Sequence, residues 1–375
     1  MLASGDIVGE RYEVEGLAGR GGMAVVYRVK HRGLGSTHAL KLLAMKQKGL
    51  ARRLQQEGEI QARLKHPNIV QVTDLIEHDG QVGLVMEFIE APPLDEWLAQ
   101  NGRMDLDTAL SLFAPVLSAV AAAHDIGVLH RDLKPGNIML AKGLGGFVPK
   151  VSDFGIAKMV LDEAPSRTVS GMPMGTPGYM APEQIRDAKG VDGRCDQFAL
   201  AAVLYAMLTG KAPYDFEEPM DAMEATLSGS HVSLATAAPQ IPAEVATAVE
   251  RALSTERAAR FPDLRAFGTA LLASRPDLLP MMTPTTDGPF RVASSGVGSI
   301  TPRARETWGA VASGATAVPT TQSGLSTGTP APPGRRLPLA LVAAGLVALI
   351  ALGGFGVVAA TTGLFLLPAE APAPA

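Results

Sequence analysis

Cysteine is almost absent from this chain. Its 375 residues contain one, Cys195, which excludes an intramolecular disulfide and any cysteine metal cluster, and places the folded part in a reducing compartment. Cys195 itself reads as a small buried apolar residue. A strong charge of either sign is also missing. With 33 Lys and Arg against 37 Asp and Glu, the chain has no global basic footprint, so nucleic acid is not an expected partner. The N-terminal stretch MLASGDIVGERYEV has no basic region followed by an apolar run, and no secretory signal peptide is expected.

What is present divides the chain. Residues 11–275 read as mixed strands and helices. Residues 276–336 are rich in Pro, Ser, Thr, Gly and Ala, as in TTQSGLSTGTPAPPG, and read as a flexible linker that cannot bury enough surface to offset its chain entropy. No charged residue stands between Arg336 and Glu370. A bilayer span needs about 20 apolar residues, so 337–367 is expected to be one transmembrane helix and 368–375 a short non-cytoplasmic tail. The basic pair Arg335 and Arg336 precedes the span, so the positive-inside bias keeps the N-terminal domain in the cytoplasm. The expected location is the inner (cytoplasmic) membrane, crossed once. Ala340, Ala344 and Ala348 form a small-residue stripe that would pair two such spans into a homodimer.

Within the folded part, RYEVEGLA, AVVYRVKH and THALKLLA read as strands and residues 49–64 as a helix. Two more strands, IVQVTDLIE and QVGLVMEFI, are joined by a hairpin signal at His78-Asp79-Gly80-Gln81. Helical patterns dominate from Leu94 onward, and Pro115 implies a kink in the first long helix. The expectation is a small five-stranded domain with one helix, followed by a helical domain.

The stretch LAGRGGMAVVY places Gly19, Gly21 and Gly22 before a β-rich run. A glycine pattern alone is weak, and here the third position is Ala24. A dinucleotide-binding fold needs a helix after the glycines, whereas this run is strand-like. A flap over phosphates and a plain hairpin turn both remain open on these residues alone. Further on stand HRDLKPGNIML and, 21 residues after Asp132, Asp153 of SDFGIAK. An acid, a lysine two residues later, an asparagine five later and a second acid supply what phosphoryl transfer requires. These are a base that orients a hydroxyl, a cation beside the moving phosphate, and oxygen ligands for Mg²⁺.

Together with HALK these strings resemble the signature set of the eukaryotic-like serine/threonine protein kinases of bacteria. The resemblance implies an α+β, two-lobed protein kinase fold over 11–275, with a β-rich N-lobe and a helical C-lobe. It also implies transfer of the ATP γ-phosphate to Ser or Thr hydroxyls of proteins, with Mg²⁺ as the ion and Mn²⁺ as its substitute. Carried over by position, Leu17, Ala18, Gly19, Arg20, Gly21, Gly22 and Ala24 form the phosphate-covering loop. Val26, Ala39, Met86 and Met139 would line the adenine pocket, with Glu87 to Ile89 as the hinge. Lys41 would grip phosphates and pair with Glu57. Asp132 would accept the proton of the substrate hydroxyl, Lys134 would neutralise the transferred group, and Asn137 and Asp153 would hold the metal.

By the same resemblance, Glu183 of GTPGYMAPE would pair with Arg260, Asp196 would hold the catalytic-loop backbone, and Thr176 would lie near the substrate. Arg131 before Asp132 marks kinases whose activation segment is ordered by a phosphate, which makes Thr168 and Ser170 the candidate autophosphorylation sites. Pro92 and Pro93 stand where many kinases have glycines and then a ribose-binding acid, with Asp95 as the substitute for that contact. A small-molecule phosphotransferase is opposed by GTPGYMAPE. A membrane-tethered pseudokinase scaffold is the alternative, opposed by the complete catalytic set.

Overall fold

The computed structural model describes residues 1–20, 24–43, 64–154, 176–187 and 190–282. All belong to one compact unit. The helix expected at 49–64, apart from Leu64, lies outside the described residues, as do Gly21, Gly22, Glu57, Thr168, Ser170, the linker beyond Met282 and the membrane span.

The N-terminal strands are β1 (Ile7–Val8), β2 (Tyr12–Arg20), β3 (Ala24–His31), β4 (Thr37–Leu43), β5 (Val72–His78) and β6 (Gln81–Glu87). They make one antiparallel sheet in the order β1-β2-β3-β4-β6-β5. The sheet has six strands rather than five. β1 is only two residues long and carries no alternating pattern, yet Val8 is fully buried beneath Tyr12 and Ile76. The β5-β6 turn uses Asp79 and Gly80, both at positive φ (52° and 73°), the backbone that a two-residue hairpin of the expected kind demands.

Period-two alternation sorts the sheet's two faces. Val14, Tyr27, Val29, Leu40, Leu42, Ile76 and Val85 bury one face. Ala39, Val72, Leu84 and Met86 point to the other, with Val26 and Ile89 packed against them. Lys41, between Leu40 and Leu42, is thereby committed to this second face. Gly83 permits the first face to close, because a Cβ there would stand 2.7 Å from Leu40 Cδ1.

The second half is helical: α1 (Leu94–Asn101), α2 (Leu106–Asp125), α3 (Pro182–Arg186), α4 (Arg194–Thr209), α5 (Pro219–Ser228), α6 (Leu234–Ala237), α7 (Ala243–Ala252) and α8 (Leu264–Leu271). Asp105 caps α2 by accepting from the Thr108 N–H. α2 continues through Pro115 without a break. It is long and apolar enough to cross a membrane, but 78% of its most apolar window is buried in this lobe, where it packs on α4 and α8. Cys195 at the start of α4 is buried, and burial pushes its thiol pKa well up, matching the small apolar role read for it. A hairpin that the helical periodicity concealed, β7 (Ile138–Gly143) with β8 (Gly146–Val151), interrupts this half.

Among the ion pairs of the lower lobe are those of Arg260 and His231. Arg260, fully buried at its side chain, donates to both Glu183 oxygens at 2.7 and 2.8 Å and to the carbonyls of Ser254 and Arg194, as the resemblance implied. Arg260→Ala strands the Glu183 carboxylate and is expected to cost about 3–5 kcal/mol, read as a lower urea midpoint at unchanged slope.

His231 meets Glu250 at 2.9 Å, and Glu250 also accepts the Leu234 N–H. The hydrogen bond to Glu250 raises the His231 pKa against the opposing effect of burial. Burial pushes Glu250 up, but the bonds from His231 and Leu234 outweigh it and hold it below its ordinary value. A raised histidine stabilises below its unfolded pKa and loses that contribution as pH rises through the folded one. Stability is therefore expected to decline as pH rises from about 6.5, and His231→Gln is expected to flatten that decline in melts across the same window.

Candidate active site

The cleft lies between the Lys41 face of the sheet and the loop that follows α2. Lys41 Nζ pairs with Asp153 Oδ1 at 2.8 Å. That contact joins β4 to the segment after β8, residues far apart in sequence. Asp153 has φ 58° and Arg131 φ 63°, left-handed backbone that non-glycine residues hold only where their surroundings over-determine it.

The surroundings of the catalytic loop are visible. Asp196, buried at the start of α4, accepts the His130 N–H at 2.8 Å, the Arg131 N–H at 2.7 Å and His124 Nε2 at 2.8 Å. Burial alone would raise its pKa. The bonds from His124 and the loop backbone reverse this, and Asp196 stays below the usual carboxylate range. His130 is fully buried against Phe154, ring centroids 4.6 Å apart, and burial lowers its pKa. Its Nε2 meets the Ser152 carbonyl at 2.9 Å, while its Nδ1 faces the Asp132 N–H at 3.3 Å. A neutral imidazole protonated on Nε2 satisfies both contacts.

The chemistry-bearing side chains converge on this loop. Asn137, buried at the end of a single 3₁₀ turn, donates from Nδ2 to the Asp132 carbonyl at 2.7 Å and reaches Asp132 Oδ2 at 3.5 Å. Spending its amide N–H₂ on Asp132 leaves the Asn137 amide oxygen as a hard donor. Lys134 Nζ lies 3.4 Å from Asp132 Oδ2 and donates to Thr176 Oγ1 at 3.0 Å. An acid, a cation and a hydroxyl therefore meet at one point. Among the described residues no group of three or more His, Cys, Asp or Glu is placed to hold a metal. Asn137 and Asp153 carry the oxygen groups that the resemblance assigned to a metal ion.

An apolar layer lies on the same face of the sheet as Lys41. Ala39 pairs in register with Met86, and Val26 with Lys41; Ala39 and Met86 are buried in one layer with Val26 and Ile89 against them. Met139 alternates with the buried Ile138 and Leu140 and bridges to Pro93. The Glu87 N–H donates to the Gln71 carbonyl, whereas the Ile89 N–H has no acceptor among the described residues. At the end of β2, Leu17, Ala18 and Arg20 are exposed, Gly19 is half-buried, and Ala24 across the turn is buried.

Some contributors were not readable in sequence. Gln184 donates to the Arg131 carbonyl at 2.9 Å and accepts the Ala181 N–H, so α3 supports the catalytic loop; its only signal was the position beside Glu183. Lys150 on β8 reaches both Glu87 oxygens at 2.8 Å, tying the hinge to the lower lobe, and no motif marked it.

The family model described as the protein kinase domain matches residues 12–267. The chain belongs to the protein kinase family. It is 34% identical over 271 residues to the serine/threonine-protein kinase PksC of Streptomyces coelicolor, covering 69% of this chain and 48% of that protein. It is 33% identical over 340 residues to the serine/threonine-protein kinase pkn2 of Myxococcus xanthus, covering 88% of this chain and 41% of that protein. The match thus spans less than half of either relative. Among solved structures, Rad53 residues 1–466 in complex with AMP-PNP superposes with a TM-score of 0.59 at 23% identity, over 73% of this chain and 66% of that one, which shows a shared fold.

Proposed function

We propose that the chain is a serine/threonine protein kinase that transfers the ATP γ-phosphate to Ser and Thr hydroxyls of proteins. The observation that carries this reading is the meeting of Asp132, Lys134 and Thr176 at one end of the cleft and of Lys41 with Asp153 at the other. Asp132 orients the acceptor hydroxyl and takes its proton as the oxygen attacks. Lys134, held between Asp132 and Thr176, offsets charge on the phosphoryl group in transit. Lys41 holds phosphate oxygens on the nucleotide side, while the Ile89 N–H and the Met86 layer receive the base. Asn137 and Asp153 would hold Mg²⁺, which neutralises phosphate charge when bound.

Incubating the purified full chain with ATP and Mg²⁺ is expected to place phosphate on Ser and Thr of the chain and of added protein, and Asp153→Ala is expected to abolish it. Absence of protein-bound phosphate from the wild-type sample would reject the reading.

Three further readings rest on sequence alone. Residues 337–367 are proposed to anchor the chain in the cytoplasmic membrane with the kinase domain inside, and the alanine stripe to pair two copies. Thr168 and Ser170 are proposed as autophosphorylation sites whose phosphate pairs with Arg131. Mass spectrometry of active enzyme showing neither residue modified would sink the last of these.

A further inference from the structure

The hinge is tied down at both ends, and its middle is not held by backbone bonds. At its start, Glu87 donates its N–H to the Gln71 carbonyl at 2.9 Å and pairs with Lys150. Beyond it, the Pro92 carbonyl accepts the Leu140 N–H at 3.0 Å, and Pro93 bridges to Met139. Between these points the backbone of Phe88, Ile89 and Glu90 makes no hydrogen bond to another element among the described residues; the Ile89 carbonyl accepts the Ala91 N–H at 3.0 Å. The Ile89 N–H lies in this stretch, and a donor already held in place receives a ligand without the cost of ordering it.

Side chains hold this middle instead. Phe88 is half-buried and packs against the apolar layer of Ala39, Leu84 and Met86. The Arg28 guanidinium lies over its ring, with Cζ 5.0 Å from the centroid. Arg28 stands on β3 in register with Ala39, two residues after Val26, so alternation puts it on the same face as Lys41. Glu15 on β2 fixes the guanidinium by accepting from its Nε at 2.8 Å. The Glu90 carboxylate lies 3.7 Å from Nη1, but that side chain is 85% exposed, and such a pair contributes little. The grip of Arg28 on the hinge is therefore chiefly its stack on Phe88.

Resting on the kinase reading above, we propose that Arg28 is a positioning residue for the nucleotide base: clasping Phe88 from β3, it holds the hinge so that the Ile89 N–H is presented to adenine. In this role Arg28 acts through Phe88 and needs no contact with the base or the phosphates. Glu15 offsets its charge at 2.8 Å, so the influence of Arg28 travels through the ring and not through attraction to phosphate. Nucleotide affinity changes with this contact, and the transfer step does not.

The test uses the full chain with ATP varied, a protein acceptor at fixed concentration and adenosine as competitor. Arg28→Gln keeps the length of the side chain and removes the cation. It is expected to raise KM for ATP by about threefold to tenfold at unchanged kcat, and to raise the inhibition constant of adenosine by the same factor. Phe88→Leu is expected to act alike, and the double variant to add little, because both changes remove one contact. Glu90→Gln is expected to stay within about twofold of wild type. Should Arg28→Gln fail to fold, Arg28→Lys carries the same reading with a smaller rise, since an ammonium keeps the charge without the planar stack. The role is overturned if KM for ATP does not move, if kcat falls instead, or if the effects of Arg28→Gln and Phe88→Leu multiply. It is equally overturned if KM for ATP rises while the adenosine constant stays put, which would assign Arg28 to the phosphates. A lower thermal midpoint with wild-type KM would make the contact merely structural. Phosphate on neither chain nor acceptor in the wild-type sample would reject the kinase reading, whereas transfer with an unmoved KM in Arg28→Gln would reject the role of Arg28 alone.

Discussion

Asp132→Asn is expected to lower kcat for phosphate transfer to a protein acceptor by about 10²–10⁴-fold, the range contributed by a positioned general base. The substitution keeps shape but removes both the charge and the capacity to take a proton. In the wild-type cleft, Asp132 Oδ2 is approached by Lys134 Nζ at 3.4 Å and Asn137 Nδ2 at 3.5 Å, two donors facing one carboxylate oxygen. An amide oxygen there still accepts from one of them, so the loop stays in place. The main-chain carbonyl that Asn137 uses at 2.7 Å is also unchanged. The loss should therefore fall on kcat, with KM for ATP and the thermal midpoint close to wild type. Steady-state transfer of labelled phosphate, with a melt on the same sample, reads both quantities. A kcat within a few-fold of wild type would remove Asp132 from the role of base.

Asp196→Ala is expected to produce the largest loss of stability of any single side-chain truncation around the cleft. Asp196 is fully buried and satisfies three donors at once: the His130 N–H, the Arg131 N–H and His124 Nε2. Its removal leaves two buried backbone donors and an imidazole without an acceptor, and each orphaned group costs about 1–3 kcal/mol. It also frees Arg131 from the left-handed conformation that those bonds enforce. A total of about 3–5 kcal/mol is expected, in line with breaking a buried charged network, together with a fall in kcat as Asp132 loses its fixed position. Asp196→Asn retains one acceptor oxygen and should fall between wild type and Ala in urea unfolding. An Asp196→Ala chain that unfolds within about 1 kcal/mol of wild type, the size of one ordinary hydrogen bond, would refute the account.

Much of the site was legible because its chemistry needs particular side chains at short, fixed spacings. Asp132, Lys134 and Asn137 lie within six residues, and one loop with one 3₁₀ turn presents all three. Lys41 was readable for a different reason, since alternation along THALKLL puts it opposite Leu40 and Leu42. The strands β2 to β6 and the Asp79-Gly80 turn were equally legible, because half-buried antiparallel strands carry their burial pattern in sequence. What escaped was structure without a local pattern. β1 is too short to alternate, and β7-β8 reads as a continuation of its apolar surroundings. Lys150 and Gln184 act through partners 63 and 53 residues away.

Residue order alone pointed to phosphoryl transfer, since an acid, a cation, an amide and a second acid at these spacings are the groups that chemistry requires. It left open which surfaces those groups meet. Only the folded lobes bring Asp196 under the catalytic loop, carry Asp153 to Lys41 and lay the Asp95 carboxylate against Gly136. Each of these contacts joins residues on different elements, and its energy depends on burial and mutual orientation. No local spacing encodes those quantities, and they exist only once these elements have packed.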